Sequence, residues 1–136
     1  MVPADERALR YLQGASLPEP SRERLLQLVR RAQAIADGAG AELSAEFGRE
    51  HVGLIVACNQ FLRLDKAGEL AGRVELFLDP PAKQALAAAG FTLHEHPNYL
   101  LRTFGWVVVD PLQGDLAALE QAVAEAFRKA QAAKKR

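Results

Sequence analysis

Hydrophobic positions recur at helical spacing near both ends of the chain and at alternating spacing in between. Pro3–Gln13 reads as a short helix, with Pro3 in the first turn, Asp5 and Glu6 near the positive end, and Gly14 as its stop. The segment 14–20 contains Pro18 and Pro20 and reads as a stiff, non-helical linker. Ser21 then suits an N-cap, and Leu25, Leu28, Val29, Ala32, Ile35 and Ala36 mark one face of a second helix that stops at Gly38 and Gly40. Residues 41–49 fit either a short helix or an edge strand. Val52–Cys58 is a β-branched apolar run that Phe61–Leu64 extends, and residues 65–68 carry a turn signal. Arg73–Leu78 alternates: Val74, Leu76 and Leu78 face one way, while Arg73, Glu75 and Phe77 face a partly exposed side.

Asp79 can cap a helix entered through Pro80 and stopped at Gly90. Phe91–His94 reads as a short strand, residues 96–98 as a turn, and Tyr99–Thr103 as a return to the sheet. Trp106-Val107-Val108-Val109 lies at the centre of a strand predicted over Phe104–Asp110. A final helix opens at Gly114-Asp115, with Leu116, Leu119, Val123, Ala126, Phe127 and Ala130 as its apolar stripe. The strands between 51 and 78 lie too close together for crossover helices. The expected fold is therefore α+β: a mainly antiparallel sheet of about four or five strands flanked by helices, with an N-terminal helical extension. The expected organisation is a helical region over 1–40, an α+β domain over 41–130 and a basic tail over 131–136.

The 136 residues are 49% hydrophobic and 25% charged, which fits one globular domain and excludes a collagen-like or disordered chain. Cys58 stands alone, so no intrachain disulfide can form; its apolar surroundings suggest a buried, inert thiol. No apolar run is long enough to span a membrane. The first residues lack a signal-peptide pattern, and a cytoplasmic location is the default expectation. Formal net charge is zero, with 17 basic and 17 acidic residues, but five of the basic ones fall within 128–136. The body is therefore acidic, a poor platform for phosphate-driven nucleic-acid binding.

Candidate chemistry is sparse. His94 and His96, two apart, would share one face of an extended segment, yet no third metal ligand stands at a motif spacing, and no metal is expected. The plainer reading is a pair of surface histidines beside a turn. There is no glycine-rich phosphate loop and no nucleophile elbow, so no cofactor is expected. Residues 98–106 mix aromatic and polar groups most densely. Arg102 and Trp106 could frame a flat or anionic ligand and Asn98 could orient it.

The run from Val74–Leu78 through Asp79-Pro80-Pro81, Pro97-Asn98-Tyr99-Leu100 and Gly105–Val109 to Leu116–Phe127 resembles the small α+β domains of the MmcQ/YjbR-like group. It is also similar to the uncharacterised luciferase-family domain. The likeness covers roughly residues 51–130 and rests mainly on the Gly105-Trp106 strand and the helix after it. The first resemblance implies a nucleic-acid-binding role, which the acidic body opposes; fold analogy is a poor guide to function in any case.

Three readings follow. The first is a binding or protein-interaction module without catalytic machinery, engaging a protein partner or a second copy, with Asn98, Arg102, Trp106, His94 and His96 at its ligand site. The second is a nucleic-acid-binding domain using Arg128, Lys129, Lys134, Lys135 and Arg136. The third is a small enzyme acting through His94, His96 and Arg102.

Overall fold

The computed structural model describes residues 2–133. Two helices, α1 (Ala4–Gln13) and α2 (Glu19–Gly38), precede four strands, β1 (Ser44–Phe47), β2 (His51–Val56), β3 (Asn59–Asp65) and β4 (Val74–Phe77). Then come α3 (Pro80–Ala88), β5 (His94–Glu95), α4 (Tyr99–Thr103), β6 (Trp106–Val109) and α5 (Leu116–Ala132). All six strands join one sheet in the order β1-β2-β3-β4-β6-β5, and every neighbouring pair is antiparallel. The expected α+β class stands, with six strands rather than four or five.

Register assigns the two faces, because residues directly opposite one another in an antiparallel pair project to the same side. Val52 pairs with Leu64, Leu54 with Leu62, Leu62 with Leu76, Leu64 with Val74, Val74 with Val109 and Leu76 with Val107. These side chains form the apolar face. α5 crosses it over β2, β3 and β4, α1 covers β1, and α2 and α3 pack against the helices already there. Leu25, Leu28, Val29, Ala32 and Ala36 of α2 and Ala8 and Leu12 of α1 are buried in the same core as the sheet. Residues 1–40 thus share that core. A register shift after Leu54 leaves Phe61 as an extra residue in β3. Phe61 is fully buried and meets Phe127 of α5 edge-on, with ring centroids 5.4 Å apart.

Several expectations are corrected. The apolar run 52–64 is not one strand but a hairpin, turned by Ala57 and Cys58 at φ values of +50° and +67°. Two consecutive left-handed residues match the turn whose twist suits a two-residue hairpin. The usual Asn-Gly signal is absent, so the sequence hides the turn. Cys58 sits on that turn and is exposed, not buried. Residues 41–49 contribute an edge strand, paired from Ser44 to Phe47. α2 begins at Glu19 behind Pro18, two residues before Ser21. Asp79 makes no cap hydrogen bond; its carboxylate pairs with Lys129 of α5 at 3.0 Å. The strand expected at Phe91–His94 is a two-residue pairing, His94–Glu95, on β6. The strand expected over 104–110 shortens to Trp106–Val109. Tyr99–Thr103 does not re-enter the sheet. It is helix α4, capped by Asn98, whose Oδ1 accepts from Leu100 N at 3.0 Å and from Leu101 N at 3.2 Å.

The Ala57-Cys58 turn yields a direct test. A non-glycine residue in the left-handed region costs about 1–2 kcal/mol. The double substitution Ala57→Asn/Cys58→Gly should therefore raise unfolding stability by roughly 1–2 kcal/mol in urea titrations. An unchanged or lower midpoint would contradict the turn assignment.

Candidate functional site

The second face of the sheet is built differently. Gly53 pairs with Arg63, Arg63 with Glu75, Glu75 with Val108 and Val108 with His94, so one row crosses five strands on this side. His51 and Asp65 form the neighbouring pair, and Phe77 opposes Trp106. The five-residue α4 contacts the sheet at β6. A helix-free face would ordinarily be wet, yet Glu75 is 1% exposed and Asp65 is also buried.

The charges are settled locally. His96, carried on the connection between β5 and α4, reaches down to Glu75 Oε1 through its Nε2. Its Nδ1 accepts the Asn98 backbone N–H at 2.9 Å. That acceptance leaves Nδ1 without a proton, so Nε2 carries the hydrogen donated to Glu75. Arg63 Nε stands 3.2 Å from the same carboxylate oxygen, close enough to pair charges but without hydrogen-bond alignment. Arg63 also donates from Nη2 to His51 Nε2 at 2.9 Å. Burial pushes the His51 pKa down, and the Arg63 charge pushes it further.

Asp65 and Glu75 are within hydrogen-bonding reach and cannot both ionise cheaply. Burial raises the Asp65 pKa to about 10, assisted by its hydrogen bond to Glu75 and that group's negative charge. Burial pushes Glu75 upward too, but the hydrogen bond from Asp65, the Arg63 charge and His96 outweigh it, and the net shift is downward. At neutral pH the arrangement is one carboxylate (Glu75), one cation (Arg63) and one protonated acid (Asp65). Asp65 Oδ2 is buried and accepts no hydrogen bond from an N–H or hydroxyl donor among the described residues.

Beside this cluster lies an aromatic groove of roughly 320 Å³, lined by Asn59, Gln60, Phe77, Leu101, Phe104 and Trp106, with Ala133 at its rim. It lies where β3 and β6 begin and β4 ends. Phe77 and Trp106 stack at 5.7 Å, with Lys129 Nζ 3.9 Å from the Phe77 ring centre and the Arg63 guanidinium 5.9 Å from that of Trp106. Tyr99 is 66% exposed, Leu100 64% and Phe104 52%.

The residues singled out from the sequence are distributed as follows. His96 is not a surface histidine; it is buried against Glu75. His94 is exposed on β5, so the two imidazoles are not brought together on one ligand. Arg102 lies over Tyr99, with Nη1 3.4 Å from the His96 carbonyl and 4.0 Å from Glu95. Asn98 is committed to capping α4. Trp106 is 6% exposed and forms the groove floor. In the basic stretch, Arg128 pairs with Glu125 at 2.6 Å and Lys129 with Asp79. Lys134, Lys135 and Arg136 lie outside the described residues. No group of three or more His, Cys, Asp or Glu side chains placed to hold a metal occurs among the described residues.

Sequence reasoning missed His51, Arg63, Asp65 and Glu75 as a cluster. The one available signal was Glu75, a charged residue inside a short apolar strand.

Comparison with family models, curated proteins and solved structures returned no match for this chain.

The two acids should respond oppositely to neutralisation. Glu75→Gln removes the counter-charge of partly buried Arg63 beside a buried carboxylate position and should cost about 2–4 kcal/mol. Asp65→Asn keeps a donor toward Glu75 and removes an ionisable group that folding holds neutral; it should stabilise by on the order of 1–3 kcal/mol at pH 7. The folded pKa of Asp65, about 10, lies above its ordinary value of 3.8. Unfolding therefore releases a proton between those values, and the Asp65 contribution makes stability fall as pH rises through that window. Urea titrations at pH 5, 7 and 9 should show a shallower decline in Asp65→Asn than in the parent chain. Parallel pH profiles would refute the assigned protonation.

Proposed function

We infer that this chain is a protein-interaction module without catalytic machinery, and that its contact surface is the groove between α4 and the β3, β4 and β6 strands. One observation carries this reading. Of four large apolar side chains exposed among the described residues, three (Tyr99, Leu100 and Phe104) fall within six residues of one another beside an apolar groove. Clustered apolar exposure on an otherwise well-packed chain marks a contact site, whereas single scattered exposures do not. The platform is also rigidly held, since Asn98 caps α4 and binds His96, which is pinned to Glu75. A pre-formed surface loses little conformational entropy when a partner docks.

The enzymatic alternative through His94, His96 and Arg102 finds less support. His96 has both ring nitrogens engaged and His94 stands apart on the edge strand. Neither Asp65 nor Glu75 lines the groove beside α4.

The test begins with a displayed library of random peptides selected on the intact chain. Enriched peptides should bind through the groove. Leu100→Ser and Phe104→Ser should each weaken them by at least about tenfold, the loss typical of a central apolar contact. Both positions are exposed, so unfolding stability should move by no more than about 0.5 kcal/mol. A selection that yields no binder, or only binders indifferent to both substitutions, would overturn the reading.

A further inference from the structure

We propose that His96 is an acid-released latch for α4: a second proton on its ring undocks the helix and takes apart the groove beside it. The contact surface is then present at neutral pH and lost in acid; that consequence rests on the interaction reading above, while the latch itself does not.

The ring has room for one proton where it stands. Its Nε2–H donates to Glu75, and its Nδ1 accepts the Asn98 backbone N–H at 2.9 Å. A second proton has to go on Nδ1. There it would point at another donor, and the Asn98 N–H would lose its acceptor. His96 is buried, so water does not stand ready to replace that acceptor. The imidazolium and the Asn98 hydrogen bond therefore exclude each other.

Charge acts in the same direction. From β4, Glu75 faces the ring and favours a second proton. From β3, Arg63 already pairs with that carboxylate and opposes one, and Asp65, held protonated, adds no negative charge. From α4, the Arg102 guanidinium lies 3.4 Å from the His96 carbonyl oxygen, and the exposed Glu95 of β5 stands 4.0 Å from that guanidinium. One buried carboxylate would have to serve two cations at once. Once the ring swings into water, the imidazolium is solvated and Glu75 keeps Arg63. The released ring thus accepts a proton that the docked ring has no place for, and acid favours release.

α4 is the element that gives way. None of its five residues is buried, and Leu101 alone is half-buried. So short a helix does not hold itself together in water. Its cap, Asn98, has its backbone tied to His96, and Gly105 at the far end has a φ of +98°, a swivel open to glycine. Leu101 and Phe104 line the groove from this segment, whereas Phe77 and Trp106 belong to the sheet. Release of α4 removes a wall and leaves the floor.

The test is an NMR titration of the intact chain from about pH 8 to pH 5, the range in which histidine ordinarily changes charge. Ring nitrogen shifts should report the Nε2–H form of His96 at the upper end. As the ring takes its second proton, the amide signals of Asn98, Leu100 and Leu101 should move with the same midpoint, while those of α2 and α5 stay in place. His51 and His94 titrate in the same spectra, so a midpoint shared with either of them instead would overturn the latch. So would a doubly protonated His96 with α4 unmoved, or an α4 that changes only when the whole chain unfolds. His96→Asn offers an oxygen near the Nδ1 position and takes no proton there; its α4 signals should be flat with pH, whereas His94→Gln should keep the parent profile. An α4 profile in His96→Asn that matches the parent would overturn the latch, and the parent titration decides the matter even if that variant does not fold. A peptide selected at pH 7.5 should lose affinity by about three- to tenfold per pH unit below the midpoint, tenfold being the limit for one coupled proton. Affinity that is constant across the midpoint would overturn the latch while sustaining the interaction reading. A selection that yields no binder overturns the interaction reading alone, because the NMR titration needs no peptide.

Discussion

Burial of Glu75 is the constraint around which the second face of the sheet is organised. A carboxylate removed from water must be paired and hydrogen-bonded or else neutralised. Here Arg63 supplies the charge from the neighbouring strand, His96 supplies a donor from the β5–α4 connection, and Asp65 stays protonated beside it. The cluster holds one net anion and one net cation, so it is electrically balanced without a metal or a bound ligand. Such clusters are rarely the cheapest way to fill a core. What this one provides is position: Arg63 and Asp65 are tied to β3, Glu75 to β4 and His96 to the β5–α4 connection, and only one strand register brings them together.

That positional role links the cluster to the surface beside it. Glu75 orients His96, and His96 accepts the backbone N–H of Asn98. Asn98 in turn caps α4 through two further backbone groups. A five-residue helix cannot hold itself together in water, because helix nucleation is costly and so short a segment forms few internal bonds. α4 therefore persists because its first turn is anchored to the sheet. The same short helix carries Leu101 into the groove and leaves Tyr99 and Leu100 exposed. A chain of hydrogen bonds thus runs from a buried carboxylate to the apolar surface proposed as the contact site. Arg63 closes the circuit from the other side by lying near the Trp106 ring that floors the groove.

Legibility followed the range of the interactions involved. α2 and α5 were readable because their apolar stripes are local, periodic facts: Leu25, Leu28, Val29 and Ala32 in one, Leu119, Val123, Ala126 and Phe127 in the other. β4 and β6 were readable from alternation and β-branched content. The Ala57-Cys58 turn was hidden because neither residue favours a left-handed backbone; the pairing of β2 with β3 imposes it. α4 read as strand because Tyr99-Leu100-Leu101 is apolar. Its helical state depends on the Asn98 cap and the His96 anchor, and the second of these needs a partner 21 residues away.

The site divides along the same line. The density of aromatic and polar groups over 98–106 was visible in the sequence, and that segment does supply the exposed surface. Class of fold, the helices at both ends and the alternating strands were settled by local pattern, because hydrophobic periodicity states which face of an element must be covered. Which residues meet on the other face was decided only by tertiary structure. His51, Arg63, Glu75 and His96 come from four separate segments, and only the antiparallel register, together with the return of the β5–α4 connection across the sheet, sets them in contact. Residue type declares a need for a partner when it is buried, but the partner is chosen by geometry that no local stretch of the chain contains.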